Sequence, residues 1–415
     1  MSAAWGPIKV SVIDVERCPE GIGGAPDDTA LWALVREHRR PRGMIKLPFA
    51  DGRIGAGALS RAIAELPHAA AAPPLVAPLG VRLPPISVVI PSTLQRVDGI
   101  RACLDSVAAL DYPDFEVIVV DNRRAGSPAV ELEGARVVRE PRPGISAARN
   151  RGLEAADGEI VAFTDDDVIV DPEWLLAIAL RFGDHPDEAC VTGLALPGEL
   201  ETPAQVALEE YYGGFGPRTF TPVSHRLRYP PGLRSLLRPA TVDAFADDGR
   251  LVRSFSLYAA GSFGPGANMA FRAQVLRQLG GFDLALGAGT PAHGGEDLEL
   301  FARTAWRGHS VGFEPAATVH HSHRRGDDAL RRQIAGYGVG YGALLLALVL
   351  EDPRHLGRML GTVPRGFLAL RSDYQSKLDT REHPDPRTQE LARLELRGML
   401  AGPAAYLRSR FRWST

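Results

Sequence analysis

Asp165, Asp166 and Asp167 follow one another directly after the run Glu159-Ile160-Val161-Ala162-Phe163-Thr164. Three adjacent carboxylates repel one another, so a positive partner is needed to hold them together. Carboxylate oxygens are the ligands that Mg2+ and Mn2+ prefer. An apolar, strand-like run would carry the triplet to the carboxyl edge of a sheet, where open α/β folds bind ligands. The triplet taken alone is read first as a solvated acidic turn leading into a helix, with Asp171 as an N-cap and Pro172 as a first helical residue. A second acidic pair, Glu296-Asp297, follows Gly294-Gly295 and precedes the helical pattern of residues 298–306. A carboxylate there can serve as a general base, or simply as a favourable acidic first turn. His320, His321 and His323 come after the strand-like Ala317-Thr318-Val319. Alternation points His321 and His323 the same way. His323 is the first choice as a metal ligand and His321 the second, against a plain polar turn.

The elements that position these groups fall into three zones. In residues 1–68, Ile8 to Ile13 reads as a strand, Thr29 to His38 as a short helix, Gly43 to Leu47 as a strand and Leu59 to Leu66 as a helix. Together they make a small N-terminal α/β extension that shows no chemical constellation. Residues 69–84 are rich in Pro and Ala and suit a linker. Residues 85–325 alternate strands (86–90, 115–120, 135–138 and 160–163) with helices (101–110 and 146–156). That βαβ rhythm predicts an α/β fold with a mixed, mostly parallel sheet flanked by helices. Polar residues gather at the strand ends: Pro91-Ser92-Thr93, Asp121-Asn122, then the triplet. Residues 326–415 read as helical, over 329–337, 343–350, 356–370 and 390–400. The tail Arg408-Ser409-Arg410-Phe411-Arg412-Trp413 suits either a packed helical end or an anchor on an anionic membrane surface.

Composition narrows the function. The chain has 415 residues, 45% hydrophobic and 23% charged, with net charge −3. No basic field points to nucleic acid. Lys9, Lys46 and Lys377 are the only lysines, so the positive charge is nearly all Arg. Cys18, Cys103 and Cys190 are widely spaced and form no CxxC pair, which predicts a reducing, cytoplasmic setting. No signal peptide is read at the start. The most apolar stretch, Ala343 to Leu350, is shorter than the ~20 residues that span a bilayer. The expectation is a cytoplasmic protein with peripheral contact on the inner membrane face through its C-terminal region.

Taken in order, several segments resemble a family 2 glycosyltransferase of the GT-A fold. They are residues 85–93 (Pro-Ile-Ser-Val-Val-Ile-Pro-Ser-Thr), 115–122 (Phe-Glu-Val-Ile-Val-Val-Asp-Asn) and 143–152 (Pro-Gly-Ile-Ser-Ala-Ala-Arg-Asn-Arg-Gly). The triplet, Gly266 to Phe271, Gly281-Phe282-Asp283 and Gly294-Gly295-Glu296-Asp297 complete the set. The resemblance covers residues 85–325 and implies an inverting transfer from a nucleoside-diphosphate sugar, a UDP-sugar, to an acceptor hydroxyl. It implies that Pro91, Thr93 and Asp121 contact the base and ribose, and that Arg149 lines the base and diphosphate. Asp165 would bond the ribose, and Asp166 would lie in the donor site without a firm role. Asp167 would bind Mn2+ or Mg2+ with His323, and Arg324-Arg325 would meet the diphosphate. Asp297 would be the base, with Glu296 tuning it or binding acceptor. The acceptor would be a glycan, a lipid-linked molecule or a small molecule. Tyr211, Tyr212 and Phe215 are candidates to stack on sugar or lipid. Processive members carry a QxxRW motif; Gln333 is followed by Ile334-Ala335-Gly336-Tyr337, so a single transfer is expected. Two other readings stay open. A nucleotidyltransferase should show a Gly-rich loop with Arg and Lys, which residues 91–96 lack; a sugar-nucleotide-binding module without turnover would not need Asp297.

Overall fold

The computed structural model describes residues 6–67, 74–77, 80–214, 218–232, 235–361 and 386–413, and every structural statement below concerns these residues. The N-terminal part consists of β1 (Ile8–Asp14), β2 (Gly21–Gly23), β3 (Ala30–Glu37), β4 (Arg40–Pro48), β5 (Arg53–Gly55) and α1 (Ala56–Glu65). β3 lies between β1, to which it is parallel, and β4, to which it is antiparallel. β2 and β5 form a separate ribbon.

Residues 30–37 are thus a strand, where the spacing of Leu31, Leu34 and Val35 predicts a helix. The reason is burial on both faces. Leu31, Ala33 and Val35 pack with Ile45, Leu59 and Ile63 in the small core, while Leu34 packs on Leu194 and Leu196 of the large sheet. A strand covered on both sides loses the apolar–polar alternation that identifies it. It turns into β4 through His38 and Arg39, whose φ values are +53° and +66°. Two successive left-handed residues make a type I′ hairpin, normally written Asn-Gly, so His-Arg gives no turn signal.

The main part contains β6 (Ile86–Ser92), α2 (Val97–Ala108), β7 (Phe115–Asp121), β8 (Arg136–Arg139), α3 (Ile145–Ala155), β9 (Ile160–Phe163), β10 (Val168–Val170), α4 (Trp174–Asp184), β11 (Glu188–Pro197), α5 (Pro203–Tyr212), β12 (Val223–Leu227), β13 (Thr241–Ala246), β14 (Leu251–Ser256), β15 (Met269–Arg272), α6 (Ala273–Leu279), α7 (Glu296–Trp306) and β16 (Ser310–His321). Its mixed sheet has the order β14-β13-β12-β16-β11-β15-β9-β6-β7-β8, with β10 added to β16. The four strands β8, β7, β6 and β9 are mutually parallel, which stacks their carboxyl ends along one edge. Apolar residues on the two faces of the sheet form two large cores against the flanking helices. The triplet leads into a turn rather than directly into a helix: Asp171 receives the N–H of Glu173, and α4 begins at Trp174.

The expected linker is partly docked, since Leu75 is fully buried in the core under α2 and α4. The C-terminal region supplies α8 (Asp327–Glu351) and α9 (Pro386–Trp413). Residues 329–337 and 343–350 therefore belong to one helix of 25 residues, long and apolar enough to cross a membrane by length and composition. That corrects the reading of residues 343–350 as a short isolated stretch; the Gly and Tyr residues before it continue the helix. Here α8 is packed inside the protein, between α7 on one side and α9 on the other. Residues 354–361 are helical, and the rest of the 356–370 prediction lies outside the described residues.

Charged pairs fasten the two parts together. Arg36 reaches Asp14 at 2.8 Å, Asp171 at 2.7 Å and Glu173 at 3.5 Å, and Arg39 reaches Glu173 at 2.6 Å. Burial pushes Asp171 up to about 7 despite Arg36. Replacing Arg36 with Met should cost about 3 kcal/mol at pH 8, because buried carboxylates lose their counter-charge. In the variant the native carboxyls bind protons more tightly than the unfolded ones, so stability falls as pH rises and the deficit shrinks toward pH 5. Urea denaturation of both proteins at the two pH values checks this.

Candidate active site

The triplet begins where β9 ends. β9 pairs with β6 through Phe163 and Val89, so Ser92 at the end of β6 faces the acids. Ser92 Oγ donates to Asp166 at 2.5 Å, and the Arg96 guanidinium bridges Asp166 and Asp167. Burial raises Asp166 above the ordinary carboxylate range even with these partners. For Asp167, burial acts upward but His321 and Arg96 outweigh it, leaving its carboxyl below that range. Asp167 is therefore held as an anion.

The histidines are placed by the short strand β10. It runs antiparallel to β16 with Val168 opposite His321, and the Ser322 N–H donates to the Asp167 carbonyl at 2.9 Å. That register brings His321 Nε2 to 3.4 Å from Asp167 Oδ1. One ligand atom from each of Asp165, Asp167 and His321 lies within 4.8 Å of the others. Two carboxylates and an imidazole form a donor set that suits Mn2+ or Mg2+. Burial holds the His321 imidazole below its ordinary pKa, which favours the neutral, metal-ligating form. His323, the first choice from sequence, has another partner: its Nε2 is 2.6 Å from Glu209 Oε1 on α5, and Arg218 pairs with the same carboxylate. The two imidazoles are neighbours, as alternation expects, with ring centres 5.7 Å apart.

The acidic pair opens α7. Gly295, at φ +88°, turns the chain so that Glu296 starts the helix. Asp297 accepts the N–H of Gly266 at 2.9 Å and of Leu298 at 2.8 Å. Burial raises both Glu296 and Asp297. Arg149 connects this pair to the triplet. It lies on α3, 1% exposed, donating to Glu296 at 2.9 Å, to Asp165 at 3.1 Å and to the Gly266 carbonyl at 3.3 Å. Beside it, Asn150 exchanges two hydrogen bonds with the backbone of Phe282, at 2.8 and 2.9 Å. The segments at 149–150, 266, 281–282 and 296–297 thus meet in one place.

Other expected positions lie further out. Pro91 is buried at the end of β6, and Thr93 is exposed beyond it. Asp121, 1% exposed, accepts from Arg123 on both oxygens and from Arg139 at 2.8 Å. It borders a cleft of about 450 Å3 with Gly126, Ser127, Val137, Arg139 and Pro141. Arg325 pairs with Glu199 and Glu201. Tyr211 donates to Glu395 at 2.8 Å. Phe215 and the Tyr212 side chain lie outside the described residues. Arg96 was missed as a site residue, being a lone Arg in a loop; its only signal was that the triplet demands a cation nearby.

Residues 87–280 match the sequence profile of glycosyl transferase family 2. This region belongs to that family. The pre-mycofactocin glycosyltransferase of Mycobacterium tuberculosis is 28% identical over 274 residues, 65% of this chain and 48% of that protein. The glucosyl-dolichyl phosphate glucuronosyltransferase of Haloferax volcanii is 27% identical over 135 residues, 31% of this chain and 43% of that protein. The chain spans less than half the length of either relative. A mannosyltransferase from Pyrobaculum calidifontis, solved with GDP-Man and Mn2+, aligns over 79% of this chain and 89% of its own, at 18% identity and a TM-score of 0.43.

The loop before α7 is braced from behind by α8. A Cβ added to Gly340 would stand 2.7 Å from the carbonyl carbon of Gly294 and 2.9 Å from its Cα. Gly340 thus lets α8 lie directly against the loop that carries Glu296-Asp297. Gly340→Ala should destabilise the protein by about 1–3 kcal/mol through overpacking. Gly336→Ala, whose nearest contact would be His293 Cβ at 3.5 Å, should instead gain up to about 1 kcal/mol of helix propensity. Parallel denaturation curves of the two variants separate the effects.

Proposed function

We propose that the chain is a metal-dependent, inverting glycosyltransferase that moves a sugar from a UDP-sugar to an acceptor hydroxyl in one transfer. The observation that carries this reading is Arg149, which holds Asp165 of the triplet and Glu296 of the acidic pair at once. It joins the cation-binding acids and a candidate base into one site. Membership of residues 87–280 in family 2 supports the same reaction class.

Asp165, Asp167 and His321 would hold Mn2+ or Mg2+. When bound, the cation would stabilise the charge that grows on the departing nucleoside diphosphate. Arg96 pairs with Asp166 and with Oδ2 of Asp167, while Oδ1 of Asp167 faces His321. The base of the donor would lie in the cleft beside Asp121. That carboxylate already accepts four hydrogen bonds from Arg123 and Arg139, about its capacity. Arg123 must therefore turn aside for Asp121 to meet a uracil imide directly.

Asp297 takes the proton of the acceptor hydroxyl as that oxygen attacks the anomeric carbon. The new carbon–oxygen bond forms on the face opposite the breaking sugar–phosphate bond, so the configuration inverts. Burial raises Asp297 and makes it a stronger base than an exposed aspartate, while the Gly266 and Leu298 N–H groups fix its orientation. Glu296 stays with Arg149 and keeps the loop in register.

The test is a donor screen: UDP, GDP or dTDP release from the corresponding sugars, with Mn2+ and with EDTA. UDP-sugar turnover that is lost on chelation is expected; no binding or turnover of any donor overturns the reading. Asp297→Asn should lower kcat about 10³-fold while donor binding is retained. His321→Ala should raise the Mn2+ needed for half-maximal rate at least about tenfold, whereas His323→Ala should not. The rate should fall as pH drops through the raised pKa of Asp297, so the acid limb of kcat/KM should lie above the ordinary value of about 4.

A further inference from the structure

We infer that α9 rests on an anionic membrane surface through a stripe formed by Leu396, Leu400, Leu407 and Phe411. These side chains are 58%, 77%, 41% and 72% exposed. Their spacing places them within a sector of roughly 60° on a helix of 3.6 residues per turn. The opposite face of α9 is already used: a Cβ on Gly398 would stand 2.4 Å from the Ala335 carbonyl oxygen, and one on Gly402 2.5 Å from that of Val339, both on α8. Gly398, Gly402, Ala405 and Ser409 are all buried. The helix is thus apolar on two sides, and among the described residues only one of them is covered by protein.

Charge identifies the partner. From Leu396 to Trp413 the sequence contains Arg397, Arg408, Arg410 and Arg412 and no Asp or Glu. Helical geometry sets Arg397, Arg408 and Arg412 along one edge of the stripe and Arg410 along the other. Guanidinium groups bordering an apolar strip match the headgroup level of a bilayer, where the side chains below enter the acyl boundary. Each arginine near an anionic leaflet adds attraction. A second copy of the chain is disfavoured by the same pattern, since a two-fold contact through this face would bring Arg-bordered stripes together with no acid between them. The inference does not rest on the proposed transfer reaction, and its test reads no activity.

Co-sedimentation of the full chain with phosphatidylcholine vesicles, with and without about 25% phosphatidylglycerol, provides the test. Binding to the mixed vesicles that weakens with salt is expected. Leu400→Glu and Phe411→Glu should each lower the partition coefficient about tenfold or more, and the triple change Arg408→Ser, Arg410→Ser, Arg412→Ser should abolish the preference for the anionic lipid. Leu251→Glu, on exposed β14, should bind as the parent chain does. Absence of binding to mixed vesicles, an equal loss with Leu251→Glu, or a solution dimer that Leu400→Glu splits would each overturn the inference. Unchanged circular dichroism melts identify variants that remain folded.

Discussion

A guanidinium that is 1% exposed must have its charge met by protein, because water cannot reach it. Arg149 satisfies this with Asp165 on one side, Glu296 on the other and the Gly266 carbonyl between them. The Phe282 ring, 5.6 Å away, covers the same guanidinium. Removing either acid would leave a buried cation half-compensated, and removing Arg149 would leave two carboxylates facing one another. The loop after β9, the turn before β15 and the N-terminus of α7 therefore cannot be placed independently. Their common partner sits on α3, whose Ala147 and Ala148 are small enough to bring it against the sheet.

The same accounting explains why a further cation would suit the site. Asp165, Asp166, Asp167, Glu296 and Asp297 converge, and Arg96 and Arg149 are the cations paired with them. Raised carboxyl pKa values at Asp166, Glu296 and Asp297 and a lowered one at Asp167 are the same imbalance distributed over neighbours. A divalent ion at Asp165, Asp167 and His321 would relieve it where the carboxylate is already ionised. The phosphates of a donor would return negative charge to the same place, so ion and donor favour each other's presence.

Much of this was legible in the chain, because it is encoded locally. Apolar runs ending in polar residues gave β6, β7 and β9, and so the sheet edge and the triplet upon it. Glu296-Asp297 after two glycines gave the start of α7. What escaped depends on partners distant in sequence. β3 is covered by the large sheet as well as its own core, which erases its alternation and leaves a helical pattern. The His38-Arg39 hairpin is held by Glu16 and Glu173 rather than by turn chemistry. The β10–β16 register sets His321 beside Asp167, and Glu209 on α5, 114 residues away from His323, engages the second imidazole. The docking role of Arg36 and the pairing of Arg96 are tertiary in the same sense.

The position of α8 unites the two ends of the molecule in physical terms. Gly340 lies against the backbone of Gly294, and Gly338 and Gly342 lie against the backbones of Glu395 and Met399 on α9. At both contacts main chain approaches main chain with no side chain between. Close-packed backbone has little compressibility, so displacement on one side is passed to the other rather than absorbed. The Arg-bordered face of α9 is thus separated from Glu296-Asp297 by two closely packed helices, α9 itself and α8. A surface that fixes α9 also fixes the wall against which the acidic pair is held, and the glycines are what make that wall thin.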